Sequence, residues 1–287
     1  MFAHHAGFVL RVSLKCIDDR LRYGCITQRH GNIPQPAIVS DTAIIADDVE
    51  IGPYSIVGDN VEIGSGTRKG SHVVINGPTR IGKDNHLYQF ASIGDDPQDK
   101  KYAGEPTSLV IGDRNTIREF CTFSRGTTQD RGETTMGDDN WIMAYVHVAH
   151  DCVIGSNTIM ANNTTLAGHV HVGDWVICGG FSGAHQFCKI GAHAFLGMYC
   201  GINRDVAAYT MVSGQPAVAR GINSEGLKRR GFSADQIRNI TNAYRITFRQ
   251  GKRKDDAIEE LAGLVDAQPE IELFLESLRS SERGLTR

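Results

Sequence analysis

The chain lacks a long apolar run, a strong excess of either charge, and any closely spaced cysteine pair, and each shortage removes a class of protein. No stretch approaches the ~18 consecutive apolar residues that a membrane-spanning helix needs. The apolar segment around Phe8 to Leu14 is broken by Arg11 and followed by Lys15, which makes a poor secretory signal. A formal net charge of −3 argues against a general nucleic-acid binder. Seven cysteines without a C-x-x-C pair resemble neither a disulfide framework nor a cysteine-based zinc site. Cys152, Cys178, Cys188 and Cys200 read instead as small buried hydrophobes in a reducing compartment. The expectation is a soluble, cytoplasmic protein with no membrane span.

What is present is a six-residue beat. Ile45, Ile51, Val57, Ile63, Lys69, Ile75, Ile81, Leu87 and Ile93 follow one another at that spacing, and all but Lys69 are aliphatic. Ile111, Ile117 and Phe123 recover the beat, which resumes at Met136 and continues through Ile142, Val148, Ile154, Met160, Leu166, Val172, Cys178, Ala184, Ile190, Leu196 and Ile202. Neither an α-helix nor an ordinary amphipathic strand has this period; hexapeptide periodicity marks a parallel β-helix. Three hexads make one triangular coil, with the aliphatic side chain inward and stacked on its equivalent eighteen residues away. Glycine beside the inward residue suits a corner that needs either a positive φ or room where a Cβ would clash. Lys69, at an inward position, requires a locally opened corner or an end coil. Long flat faces of parallel strands have to be solvated or covered, which makes a homotrimer plausible.

Residues 1–32 carry no repeat and read as an N-terminal extension. The repeat region spans 33–214, with polar excursions near 95–109 and 125–135; loops on a rigid scaffold are where function gathers. The remainder, 215–287, reads as a helical domain. Ser233-Ala-Asp-Gln236 forms a capping box, followed by Ile237, Ile240, Ala243, Tyr244 and Phe248 at helical spacing, with Gly251 as the stop. A second helix is expected over Ile258, Leu261, Leu264 and Val265. Pro269 opens a third, which carries Ile271, Phe274 and Leu278.

Five histidines, His147, His150, His169, His171 and His185, fall within thirty-nine residues of the repeat. His150 and His169 are nineteen apart, which places them on nearly one face of adjacent coils, and His185 follows sixteen further on. A cleft lined by imidazoles suits general acid–base chemistry. Asp151 is placed to polarise an imidazole, although neighbours in a strand point to opposite faces and the pairing needs a corner or a second subunit. Gly168 leaves a backbone N–H unshielded, as an oxyanion hole requires. Three imidazoles and a water also describe a catalytic zinc site, and spacing alone leaves that open.

Several segments resemble one family: His147-Val-Ala-His150-Asp151-Cys152, Leu166-Ala-Gly168-His169, His185-Gln186-Phe187-Cys188, and Asn223-Ser-Glu225-Gly-Leu-Lys228-Arg229-Arg230-Gly231-Phe232. With Tyr88 to Gly94 and Tyr102 to Thr107, they are similar to the UDP-N-acetylglucosamine 3-O-acyltransferases of lipid A biosynthesis. The resemblance implies a left-handed β-helix, against the usual right-handed crossover, and a homotrimer with active sites between subunits. It implies transfer of a 3-hydroxyacyl chain from acyl carrier protein to the glucosamine 3-hydroxyl of UDP-N-acetylglucosamine, with no metal and no cofactor. His150 would be the general base, Asp151 its support, and the Gly168 N–H the oxyanion donor. Gln98, Asp99, Lys101, His147, His169, His185, Gln186, Asn223, Glu225 and Arg229 match positions that hold substrate or product. Lys228, Arg229 and Arg230 form a basic run suited to an acidic carrier protein.

Two positions depart from the family pattern. Met198 stands where long-chain members carry glycine at the end of the acyl pocket, which implies a donor of about ten carbons rather than about fourteen. Ser124 stands where histidine is frequent. Among competing classes, an N-acyltransferase on the acylated sugar would place an extra domain before the repeat. A zinc hydro-lyase would need metal, and a non-enzymatic scaffold would need neither the histidine-lined face nor the excursions.

Overall fold

The inward hexad residues build three flat sheets wound into a triangular prism. The structure, a computed structural model, describes residues 23–26 and 37–287; apart from Tyr23–Ile26, the expected extension 1–32 lies outside them. Strands recur in the order first, second, third face, beginning with Ala37–Ser40, Ile44–Ile45 and Glu50–Ile51, and the sheets hold ten, eight and ten strands. Pairing within the coils is parallel, and Val57 stacks on Ile75 and Ile75 on Ile93 in register. Tyr23–Ile26 adds an antiparallel strand to Ala37–Ser40.

The two excursions lengthen single coils without breaking the stack. Ile93 pairs with Phe123 and Phe123 with Val148, so the extra residues leave as loops while the inward side chains stay in line. The first loop runs from Asp95 to Ser108 and the second from Ser124 to Glu133.

Glycine and positive φ turn out, for the most part, to serve different positions. The left-handed corner residues, three places after the inward residue, are mostly non-glycine, among them Tyr54, Asn60, His72, Asp84 and Phe90, with Gly66 as a glycine in the same place. Gly52 and Gly64 instead sit where a Cβ would lie 2.5 Å and 2.7 Å from the carbonyl carbon of the next coil's Gly70 and Gly82. Steric room, not handedness, is what Gly52 and Gly64 supply.

Lys69 is 4 % exposed, inside the prism in the second coil of the third face, and among the described residues its Nζ reaches only the Ile56 carbonyl, at 3.5 Å. Burial pushes its pKa down to about 7. The unfolded chain therefore binds more protons than the folded one between pH 7 and the ordinary lysine range, so this residue makes stability rise with pH across that window. Replacing Lys69 by Met is expected to raise unfolding free energy at pH 6 by about 2 kcal/mol and to flatten that rise, as read by denaturant titration. Equal stabilities at pH 6 and pH 9 in the parent would defeat this account.

The prism ends in an antiparallel hairpin, Thr210–Ser213 with Val218–Ile222, so strand structure runs past the expected boundary at 214. Helices α1 (Ser224–Arg229), α2 (Ala234–Phe248), α3 (Lys254–Ala262) and α4 (Glu272–Arg279) follow. The capping box is present, with the Gln236 N–H donating to Ser233 Oγ (3.2 Å) and the Ser233 N–H to Gln236 Oε1 (2.9 Å). Helix α3 stops before Leu264 and Val265, which pack from the following turn. Pro269 opens a 3₁₀ turn that leads into α4. Helix α1 is too short for a periodic signal, and its local mark is the cap Asn223. Leu227, Ile240, Tyr244, Leu261, Phe274 and Leu278 pack with Ala207, Ala208 and Tyr209, closing the end of the prism. Among the described residues no helix is long and apolar enough to cross a membrane. Cys121, Cys152, Cys178, Cys188 and Cys200 are unpaired and buried, their thiols pushed up to about 11 or 12 by burial.

Candidate active site

The edge between the first and second faces carries Asp151, His169 and Phe187 one above another, eighteen residues apart, each with positive φ (59°, 63° and 65°). The coil-equivalent of His150 is therefore Gly168. A Cβ at Gly168 would lie 2.5 Å from His150 Cε1 and 2.7 Å from Nε2. The glycine lets the imidazole lean along the edge against the next coil's backbone. Its N–H makes no hydrogen bond with the described residues, so it remains a free donor beside the ring.

His150 Nδ1 and Asp151 Oδ2 are 2.8 Å apart. Adjacent strand residues could not meet in this way; the left-handed corner at Asp151 swings its carboxylate back under the ring. Asp151 is fully buried, and its two oxygens also accept from the Thr127 N–H (2.9 Å) and hydroxyl (2.7 Å). Burial opposes ionisation, but the bonds from His150 and Thr127, with the nearby His169, outweigh it and hold the carboxyl below its usual range. A carboxylate on Nδ1 keeps the hydrogen there and leaves Nε2 as the basic nitrogen.

Loop residues build the opposite wall. Arg125 is buried and bonds to the Gly94 carbonyl, Asp96 and the Tyr102 hydroxyl, so the second loop's root clasps the first loop. Gln98, Asp99 and Lys101 from the first loop and Gln129 and Asp130 from the second then line one cavity of about 880 Å³ with His150, His169 and Gln186. Thr127, Asp130 and Arg125 escaped the sequence reading because the excursions have no period to read. The one hint was their place in the second excursion.

The other candidates lie elsewhere on the protomer. His147 is on the first face, its Nδ1 2.7 Å from Thr122 Oγ1, and burial followed by the charge of His150 lowers its pKa. His185 lines a separate cavity of about 400 Å³ with Phe181, Tyr199 and Gln215. Sixteen residues after His169 is two short of a full coil, which leaves His185 on the flat face before the corner; Phe187 takes the stacked place instead. Met198 is 61 % exposed beside Tyr199 at a different edge. Asn223 is committed to structure: its Oδ1 caps α1 at the Gly226 N–H (3.1 Å) and its Nδ2 donates to the His193 carbonyl (3.0 Å).

The basic run is smaller than expected. Lys228 pairs with Glu225 at 2.7 Å. Arg230 turns inward, donating to His193 Nδ1 (3.0 Å) and the Trp175 carbonyl (2.8 Å), with its guanidinium over the Trp175 ring. Burial, then Arg230, pushes the His193 pKa down to about 4, so that ring accepts the bond as a neutral imidazole. Arg229 is left as the exposed cation of the run, with neither a hydrogen bond nor an ion pair among the described residues and only the longer-range field of Glu225.

Residues 205–286 match the family model described as UDP N-acetylglucosamine O-acyltransferase, domain 2, and residues 133–168 match the bacterial transferase hexapeptide (six repeats). A curated acyl-[acyl-carrier-protein]–UDP-N-acetylglucosamine O-acyltransferase of Thiobacillus denitrificans is 59 % identical over 251 residues, covering 88 % of this chain and 97 % of that protein. The chain belongs to the UDP-N-acetylglucosamine O-acyltransferase family. One from Pseudomonas putida is 57 % identical, covering 89 % of this chain and 99 % of that protein. The crystal structure of the Moraxella catarrhalis UDP-N-acetylglucosamine O-acyltransferase superposes with TM-score 0.87 at 52 % identity, covering 88 % and 98 % of the two chains. The prism is accordingly the left-handed β-helix of this acyltransferase family, and the chain is an acyltransferase.

Proposed function

We propose that the chain transfers a 3-hydroxyacyl group from acyl carrier protein to the 3-hydroxyl of the glucosamine in UDP-N-acetylglucosamine, the first step of lipid A biosynthesis, with His150 as the base. The observation that carries it is the His150–Asp151 pair at 2.8 Å beside the free N–H of Gly168. Nε2 takes the hydroxyl hydrogen as the oxygen bonds to the thioester carbon, and the Gly168 N–H receives the oxyanion. The C–S bond then breaks, and the imidazolium returns the proton to the departing thiolate. Asp99, Lys101, Gln98, His169 and Gln186 line the cavity that would hold the sugar nucleotide. His147 and His185 belong to the adjoining face.

The homotrimer is part of the same proposal. Asn223, Glu225 and Arg229 sit by the edge between the second and third faces, one whole face from His150. A second copy is what would bring that edge to the cleft, where Arg229 suits a phosphate or an acidic carrier protein. The cytoplasm fits five unpaired buried cysteines.

His150, Asp151 and His169 also offer ligand atoms within 4.8 Å of one another. The carboxylates on Nδ1 of His150 and of His169 (2.6 Å from Asp130) leave both Nε2 atoms open to a metal as much as to a hydroxyl, so what disfavours a zinc hydro-lyase is the acyltransferase family to which the chain belongs. An activated thioester needs no Lewis acid. The test incubates the protein with UDP-N-acetylglucosamine and 3-hydroxyacyl carrier proteins of graded length, with and without a chelator, and identifies the product by mass. Acylated sugar nucleotide in both conditions is expected; a product lost on chelation and restored by zinc would overturn the metal-free reaction.

A further inference from the structure

We propose that Asp130 is a positioning residue that fixes His169 with its hydrogen on Nδ1, so that Nε2 accepts a hydrogen bond from a second hydroxyl of the sugar acceptor. The inference rests on the sugar-nucleotide reading above and deepens it. Its first ground is a second imidazole–carboxylate pair in the cleft. Asp130 Oδ2 lies 2.6 Å from His169 Nδ1, closer than the Asp151 carboxylate at 3.8 Å. A carboxylate only accepts, so Nδ1 carries the hydrogen and a neutral ring presents a lone pair at Nε2.

The ring cannot drift from that pose without losing contacts on three sides. Phe187 stacks on it at 4.3 Å and 7°, and His150 meets it edge-on at 5.0 Å and 87°. Nε2 is left with no partner among the described residues, in a ring that lines the same cavity as Lys101, Gln129 and Gln186.

Asp130 is itself held in place. Its N–H and that of Gly132 both reach back to the Thr127 carbonyl, at 3.3 Å and 2.9 Å. Thr127 is the residue whose N–H and hydroxyl bind Asp151. One short turn thus sets both carboxylates against both imidazoles. The division of labour follows from position. Gly168 places the oxyanion donor beside His150, so chemistry occurs there, and His169, one coil further along the edge, meets a different part of the same sugar.

Asp130→Ala and Asp130→Asn are compared with the parent. The alanine variant is expected to raise KM for the sugar nucleotide about 10-fold, the worth of one lost hydrogen bond, with kcat within about twofold and KM for the carrier protein unchanged. Ring ¹⁵N shifts of His169 should move toward the Nε2–H tautomer. The asparagine variant should keep the parent's tautomer and most of its affinity, because the amide oxygen accepts the same hydrogen. An unchanged KM in Asp130→Ala, or Asp130→Asn as damaged as Asp130→Ala, overturns the proposal. The tautomer is read without substrate, so an unaltered spectrum in Asp130→Ala sinks the role of Asp130. Failure of the parent to acylate the sugar nucleotide would instead sink the functional reading.

Discussion

Replacing His150 by alanine is expected to lower turnover about 10²–10⁴-fold, the usual contribution of a positioned general base. The ring lies outside the prism, against the backbone of Gly168, and none of the stacked aliphatic residues depends on it. The variant should therefore keep the parent's circular dichroism and melting behaviour. Its residual rate over the uncatalysed reaction would come from the Gly168 N–H and from binding, which the substitution leaves alone. A loss in kcat at saturating substrate, with KM little changed, is the signature of a group acting only as the bond forms. Near-parental kcat would remove His150 from the chemistry and leave the Asp151 network as architecture.

The second large effect concerns the length of the acyl donor. Met198 is exposed, its backbone nitrogen lies against Gly179, and its neighbour Tyr199 lines the cavity bordered by Phe181 and Gln215. In a trimer this exposed thioether would be available to block a groove between copies. Each methylene denied apolar contact forfeits about 0.8 kcal/mol, so four of them amount to about 3 kcal/mol, or roughly 10²-fold in selectivity. Met198→Gly is expected to shift the ratio of kcat/KM from donors of about ten carbons toward about fourteen by that order. The measurement is a competition between the two acyl carrier proteins, with products separated by mass. A ratio that does not move leaves Met198 as a surface residue with no say in chain length.

Much of this was legible because the β-helix repeats in register. The eighteen-residue coil places His169 over Asp151 and Phe187 over His169, so the imidazole pair follows from counting. The same counting misplaces His185, because a two-residue deficit on a triangular coil is the difference between an edge and a face. Asp151 beside His150 was readable as a pair only on condition of a corner or a second subunit, since strand alternation forbids it, and the left-handed backbone at Asp151 supplies that corner. Arg230, one cation of three in sequence, becomes a half-buried clamp on His193 and Trp175 once α1 folds against the prism.

The sequence by itself determined the prism, its inward residues, the capping box of α2 and the edge that carries His150 and His169. All of these are periodic or local and need no knowledge of distant segments. Only the tertiary structure decided which groups complete the site. Thr127 and Asp130 reach their partners from 24 and 39 residues away. Arg125 clasps the first loop across 23 to 31 residues. Where an aperiodic loop lands depends on hydrogen bonds made after the coils have stacked, and spacing carries no record of them.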